Sequence, residues 1–75
     1  MGKVELTSFS TQFKQGNNFA HALFEPDGVT VKFERTDSEF TRKVGLIVDE
    51  FLHGENKNQA SIQEFAIDVF EKDEH

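Results

Sequence analysis

The segment Glu25-Pro26-Asp27-Gly28 constrains the fold more than any other stretch of this sequence. Proline holds its φ angle near about −65° and glycine accepts positive φ, so this order of residues is typical of a tight β-turn. The flanking residues 19–25 and 29–35 have the composition of strands, and the second stretch alternates apolar and polar side chains. The sequence therefore predicts a β-hairpin.

The register of this hairpin stays open, and a shift by one residue exchanges the two faces of a strand. In one register, a bulge at Gly28 pairs Leu23 with Val31. In the other, a tighter turn pairs Ala22 with Val31. We favour the first register because it collects large apolar side chains on one face. These side chains are Phe19, Leu23, Val29, Val31 and Phe33.

A helix is predicted over residues 38–53. Apolar residues recur there at helical spacing, and Gly54 follows at the position where helices commonly end. Thr36 and Glu39 have the spacing of a capping box. Asp37 and Ser38 are also good N-caps. The stripe of apolar residues consists of Phe40, Val44, Ile47, Val48 and Phe51.

Two segments nearer the ends of the chain allow more than one interpretation. Residues 3–13 have the composition of a strand, but their apolar side chains share one face only if a bulge occurs near Thr7-Ser8. Residues 61–72 fit either a helix or a fourth strand. We favour the helix because Ser61 and Glu64 have capping-box spacing, which supports it independently of the apolar pattern.

The predicted fold is a small α+β domain, in which a three-stranded antiparallel β-meander is packed by one helix and followed by a second helix or a fourth strand. The strands lie near 3–13, 19–25 and 29–35, the helix near 38–53 and the last segment near 61–72. The 75 residues include nine Phe and no Cys. Because each Phe can bury about 150–250 Å², these side chains can form the core of a domain whose short length limits burial.

Charge is distributed unevenly along the chain. Residues 1–48 contain six acidic and six basic residues, whereas residues 49–75 contain eight acidic and two basic ones. The formal net charge of −6 therefore lies in the last third. Such a segment either keeps the domain soluble or recognises a basic protein. We expect a partner-binding surface made of Asp49, Glu50, Glu55, Glu64, Asp68 and Glu71.

One form of this hypothesis is mimicry of DNA. If residues 61–72 are helical, Glu64, Asp68 and Glu71 form one stripe, with steps of about 6 Å and then about 4.5 Å along the helix axis. Successive phosphates of a DNA strand have comparable separations, so the stripe could imitate a nucleic-acid backbone. The size and charge are also those of small acidic inhibitor proteins from phages and mobile elements, a similarity of composition only.

A second alternative is binding of single-stranded nucleic acid by the sheet around Phe33. The residues that support it are Lys32, Phe33, Arg35, Arg42 and Lys43. The net charge of −6 opposes attraction to phosphate, so direct contact with nucleic acid is the less favoured hypothesis. A homodimer formed through the edge of strand 3–13 is a further hypothesis.

The sequence contains no pattern typical of catalysis, cofactor binding or metal binding. It has no Cys, its three His are scattered, and it lacks a glycine-rich phosphate loop. We therefore expect a non-enzymatic protein without cofactor or metal. No apolar run approaches the roughly 18 residues of a membrane span, and the first residues lack an apolar run of signal-peptide length. We expect a cytoplasmic protein with no membrane partner.

Overall fold

The computed structural model describes residues 8–72, which form three strands and two helices. These elements are β1 (Phe9–Gln15), β2 (Asn18–Glu25), β3 (Gly28–Arg35), α1 (Ser38–His53) and α2 (Gln59–Lys72). The strands are antiparallel and lie in the order β1-β2-β3, so each strand pairs with the next along the chain. The predicted α+β meander is confirmed, and the last segment is the second helix. Residues 3–7 of the predicted first strand, including Thr7 of its bulge, lie outside the described residues.

The favoured register of the β2–β3 hairpin is wrong. Ala22 pairs with Val31, and the turn contains only Pro26-Asp27, which is the tighter of the two predicted arrangements. Within the described residues, only Gly16 has a positive φ. Gly28 therefore does not adopt the left-handed conformation that the bulged turn required.

This register turns the opposite face of β2 towards the helices. The side chains of β2 that are buried are Ala20, Ala22 and Phe24, whereas Leu23 is 39% exposed. The small alanines let the helices approach the sheet closely. Phe24 then fits between two rings, stacked on Phe9 at 4.9 Å and edge-to-face with Phe51 at 5.0 Å. Packing against the helices therefore determines which face of β2 is buried, and the size of the side chains within the hairpin does not.

The core lies between this face of the sheet and both helices. Its buried side chains are Phe13, Ala20, Ala22, Phe24, Phe40, Val44, Ile47, Phe51, Ile62 and Ala66. All nine Phe lie within the described residues, and eight of them belong to this core or pack against it. Phe19 is the exception. Because β2 alternates, Phe19 lies on the open face of the sheet, the face away from the helices.

Helix α1 has the predicted bounds, and its N-cap is one of the alternatives that the sequence left open. Asp37 is the N-cap, because its carboxylate accepts a hydrogen bond from the Phe40 amide at 2.8 Å. The Thr36 hydroxyl instead hydrogen-bonds with that of Thr41 at 2.6 Å. At the other end, the Lys57 ammonium donates to the Phe51 carbonyl oxygen at 2.6 Å, so a cation complements the helix C-terminus.

Helix α2 begins at Gln59, two residues before the predicted cap. The Asn58 side-chain oxygen accepts from the Ser61 amide at 2.9 Å, so Asn58 is the N-cap and the predicted Ser61–Glu64 capping box is wrong. The Gln59 side chain donates to the Ser10 carbonyl oxygen at 3.1 Å, which ties the start of α2 to β1. Within residues 8–72, neither helix has the length and apolar character needed to cross a membrane.

Candidate interaction surfaces

The α2 acidic stripe, which we define as Glu64, Asp68 and Glu71, is exposed along its whole length. The buried residues of the same helix are Ile62 and Ala66. Since successive residues of a helix turn by about 100°, the stripe lies on the side of α2 opposite the core. The three carboxylates therefore follow one another along the helix axis, and Glu71 also borders a groove beside β1.

An apolar side chain lies beside the α2 acidic stripe. Ile67 is 56% exposed, more than the other exposed large apolar side chains of the described chain. It lies between Glu64 and Glu71 along the helix. Asp68 forms an exposed ion pair with Lys72 at 3.4 Å, and exposed pairs of this kind contribute little to stability. The outer face of α2 thus combines negative charge with accessible apolar area.

The other three acidic residues of the predicted surface lie on α1 and on the loop after it. Asp49 is exposed and lies 3.8 Å from the ring of His53, one helical turn away. Glu55 is exposed in the loop. Glu50 is half-buried, and its carboxylate accepts a hydrogen bond from the Asn56 side chain at 2.7 Å. Glu50 therefore organises the loop, whereas Asp49 and Glu55 remain accessible to a partner.

The structure does not bring the residues of the Phe33 hypothesis together. Phe33 lies on the helix-facing side of β3, and its ring centroid is 6.3 Å from that of Phe40. Lys32 lies on the open face, 3.7 Å from the Glu34 carboxylate. Phe33 is half-buried and packs against the core, so its ring and the Lys32 ammonium lie on opposite faces of the sheet.

The two basic residues of α1 are also separate from that group. Arg42 pairs with Glu39 on its own helix at 2.6 Å. Lys43 is only 3% exposed, and its ammonium lies 5.6 Å from the centroid of the Phe70 ring. Long cationic side chains can bury their stems and contact an aromatic face in this way. Lys43 therefore packs within the domain and does not present its charge to a phosphate.

The open face of the sheet carries a group of side chains that sequence reasoning missed. Across the three strands, Lys14 lies opposite Phe19, and Phe19 lies opposite Arg35. The Phe19 ring meets the His21 ring edge-to-face at 4.8 Å. The neighbouring row of the sheet consists of Gln12, His21 and Lys32. An aromatic ring thus lies between two cations at one end of the open face.

A β-bulge places Arg35 in this row. Ala20 pairs with Phe33, but the next residue of β2, Phe19, pairs with Arg35, so Glu34 is an extra residue of β3. Regular alternation would put Arg35 on the helix-facing side together with Phe33. The bulge shifts the alternation by one residue, and bulges often redirect side chains in this way.

These side chains surround an open depression of about 750 Å³. Its lining includes Lys14, Phe19, His21, Glu34 and Arg35. The Glu34 carboxylate lies 3.6 Å from the His21 ring and 3.7 Å from the Lys32 ammonium. The tighter hairpin register would have indicated this surface. It buries the alanines of β2, and alternation then puts Phe19 on the other face of that strand.

A groove of about 510 Å³ runs between β1 and α2. Its lining includes Phe13, Ile67, Phe70 and Glu71. The buried hydroxyl of Thr11, also in this lining, has no hydrogen-bond partner among the described residues. The groove lies beside β1, which is an edge of the described sheet and overlaps the strand predicted for a homodimer.

Among residues 8–72, no three His, Asp or Glu side chains are grouped so that they could hold a metal ion. Comparisons of the chain with protein-family models, with curated proteins and with solved structures found no match. The function is therefore inferred from the exposed surfaces and their chemistry.

Proposed function

We propose that this chain is a small non-enzymatic protein-interaction module that binds a basic protein through the outer face of α2. The observation that carries the proposal is the exposed α2 acidic stripe with Ile67 beside it. Charged residues at the rim of an interface speed association and select the partner, whereas apolar area supplies affinity. Exposed Asp49 and Glu55 extend the same charge over α1 and the following loop. The proposal includes a cytoplasmic location.

The narrower form of the proposal is DNA mimicry. It is supported by the helical state of α2, because the steps of about 6 Å and about 4.5 Å along the stripe depend on helical geometry. In this form the partner is a DNA-binding protein and the chain acts as its inhibitor, in the manner of small phage proteins. A captured partner that releases DNA when this chain is added would favour mimicry over other basic partners.

The test compares two charge-reversal variants in a pull-down from nuclease-treated lysate, with bound proteins identified by mass spectrometry. Glu64→Lys combined with Glu71→Lys reverses two of the three charges of the stripe. Glu25→Lys combined with Asp27→Lys changes the net charge equally but lies at the β2–β3 turn. We expect the first variant to lose the partner and the second to retain it.

A third variant, Ile67→Ser, leaves the charge unchanged and tests the apolar contact. We expect weaker capture, because an apolar anchor inside a charged rim contributes disproportionately to affinity. Raised salt should also release the partner, since exposed charges are screened over about 8–10 Å near physiological ionic strength. Equal losses in the two charge-reversal variants would mean that net charge alone attracts the partner, and the α2 surface would then not be the binding site.

A further inference from the structure

Phe19 is the one Phe of the described chain that does not pack in or against the hydrophobic core. The other eight Phe belong to the hydrophobic core or pack against it, whereas Phe19 lies on the open face of the sheet in a T-shaped contact with His21. An aromatic ring on an open sheet face is a platform on which a planar group can stack. Phe19 does not line the groove that contains Ile67 and Glu71, so it is separate from the surface of the proposed function.

The flanking residues specify the kind of group. Lys14 and Arg35 lie on either side of Phe19, each on a neighbouring strand. Strands are about 4.8 Å apart, so these two long cationic side chains can reach negative charges on both sides of one stacked ring. The carboxylate in the depression, Glu34, lies against His21 and Lys32. Glu34 thus offsets the positive charge of Lys32 in the neighbouring row of side chains.

We propose that this end of the open sheet face binds single-stranded nucleic acid. One base stacks on Phe19, and its flanking phosphates contact Lys14 and Arg35. The site differs from the Phe33 hypothesis, because it uses the opposite face of the sheet and depends on the bulge that redirects Arg35. Stacking on a flat ring together with backbone contacts is the usual way in which proteins bind single strands without reading their sequence.

The negative net charge does not prevent this contact. The excess of acidic residues lies in positions 49–75, which include α2 and the end of α1. The core and both helices lie on the other face of the sheet, although Lys14 also lines the groove to which Glu71 contributes. This end of the open face carries Lys14, Lys32 and Arg35 beside the carboxylate of Glu34, so its local charge favours phosphate.

The first test measures binding of a fluorescently labelled oligothymidylate of about 10 nucleotides, within the site sizes of single-strand binders. Phe19→Ala should weaken binding roughly 5- to 150-fold, the loss equivalent to one base–aromatic stack. Phe19→Leu keeps an apolar side chain without a flat ring and should also weaken binding. Leu23→Ala is the matched control, since it removes an exposed apolar side chain from the same face of the same strand.

The second test measures the salt dependence. Two phosphate contacts on a single strand predict that log K falls against log salt concentration with a slope of about −1.4. Lys14→Gln or Arg35→Gln should each reduce the magnitude of this slope by about 0.7. Lys72→Gln removes the same charge from α2 and should leave the slope unchanged. Circular dichroism of each variant verifies that the fold is retained.

Three results would overturn the proposal. The first is no binding of the oligonucleotide by the wild-type chain at low salt. The second is equal affinity of the wild-type chain for an abasic oligonucleotide of the same length, because stacking would then contribute nothing. The third is an equal loss of affinity for Lys72→Gln and Arg35→Gln, because general charge rather than this site would then explain the binding.

Discussion

The carboxylate of Glu50 occupies the space beside Gly54 that a β-carbon would need. A Cβ placed on Gly54 would lie 2.5 Å from Cδ and Oε2 of Glu50. The φ of Gly54 is −101°, which any residue can adopt, so the close approach and not the backbone conformation favours glycine here. The same carboxylate accepts the hydrogen bond from Asn56. Glu50 is therefore a structural residue of the loop after α1.

Gly54→Ala should destabilise the domain. The new methyl group must displace the Glu50 carboxylate and break its hydrogen bond to Asn56, and overpacking of this kind costs about 1–3 kcal/mol. Because the displaced group is the end of a flexible side chain, we expect a value near the lower limit. The free energy of unfolding measured in urea gives the cost directly.

The same substitution should have the opposite sign when Glu50 is already Ala. Without the carboxylate, Gly54→Ala removes only the conformational freedom of glycine in the unfolded chain, which stabilises by about 0.4–1 kcal/mol. A double-mutant cycle at positions 50 and 54 therefore has a coupling energy of about 1 kcal/mol or more. Additive effects would contradict the proposed contact.

Neighbouring positions of β2 should respond very differently to truncation. Phe24→Ala removes a buried ring that stacks on Phe9 and meets Phe51 edge-to-face, and we expect a loss of about 3–5 kcal/mol. A domain of this size has only about 4–11 kcal/mol of stability, so this variant is close to unfolded. Leu23→Ala, on the open face, should cost about 1 kcal/mol or less. A larger cost for Leu23→Ala would support the other hairpin register.

Stability should depend on pH through Asp37. The pKa of this carboxyl group is lowered from 3.8, chiefly by the hydrogen bond from the Phe40 amide and then by that from Asn18. A group whose folded-state pKa is lowered stabilises the fold above its unfolded pKa, and this contribution is lost as the pH falls through the folded-state value. We expect the start of α1 to weaken as the medium is acidified below about pH 4.

Asp37→Asn is the control for this titration, because the amide oxygen can still accept from Phe40 but does not ionise. The stability advantage of the wild type over Asp37→Asn should be present at neutral pH and should vanish in acid. An advantage that stayed constant across the acid range would show that ionisation of Asp37 does not contribute. Chemical unfolding at a series of pH values measures this difference.

The start of α2 offers a comparison of two candidate caps. Asn58→Ala removes the oxygen that accepts from the Ser61 amide, and loss of such a cap costs about 0.5–2 kcal/mol. Ser61→Ala removes a hydroxyl inside the first turn and should cost about 0.5 kcal/mol or less. Both are measured by urea unfolding. A greater loss of stability for Ser61→Ala than for Asn58→Ala would support Ser61 as the N-cap, as the sequence predicted.

Local patterns determined most of the architecture. The turn at 26–27 separates two strands, and the apolar spacing of residues 38–53 predicted α1 with the bounds that it has. The helical interpretation of 61–72 was also correct, although its start lay at Gln59. These features depend on contacts within a few residues, so periodicity and turn-forming residues reveal them. Helical periodicity, which is also a local property, places Glu64, Asp68 and Glu71 on one side of their helix.

Tertiary structure decided which face of each strand is buried. The two registers of the β2–β3 hairpin differ by one residue and have similar local preferences, so packing of Phe24 against β1 and α1 separates them. That choice places Phe19 on the open face, and the bulge at Glu34 then brings Arg35 beside it. Likewise, the charge distribution that assigned Glu50 to a binding surface gave no sign of its contact with Asn56. Long-range packing sets register and bulges, and a local pattern read along one strand or helix does not contain that information.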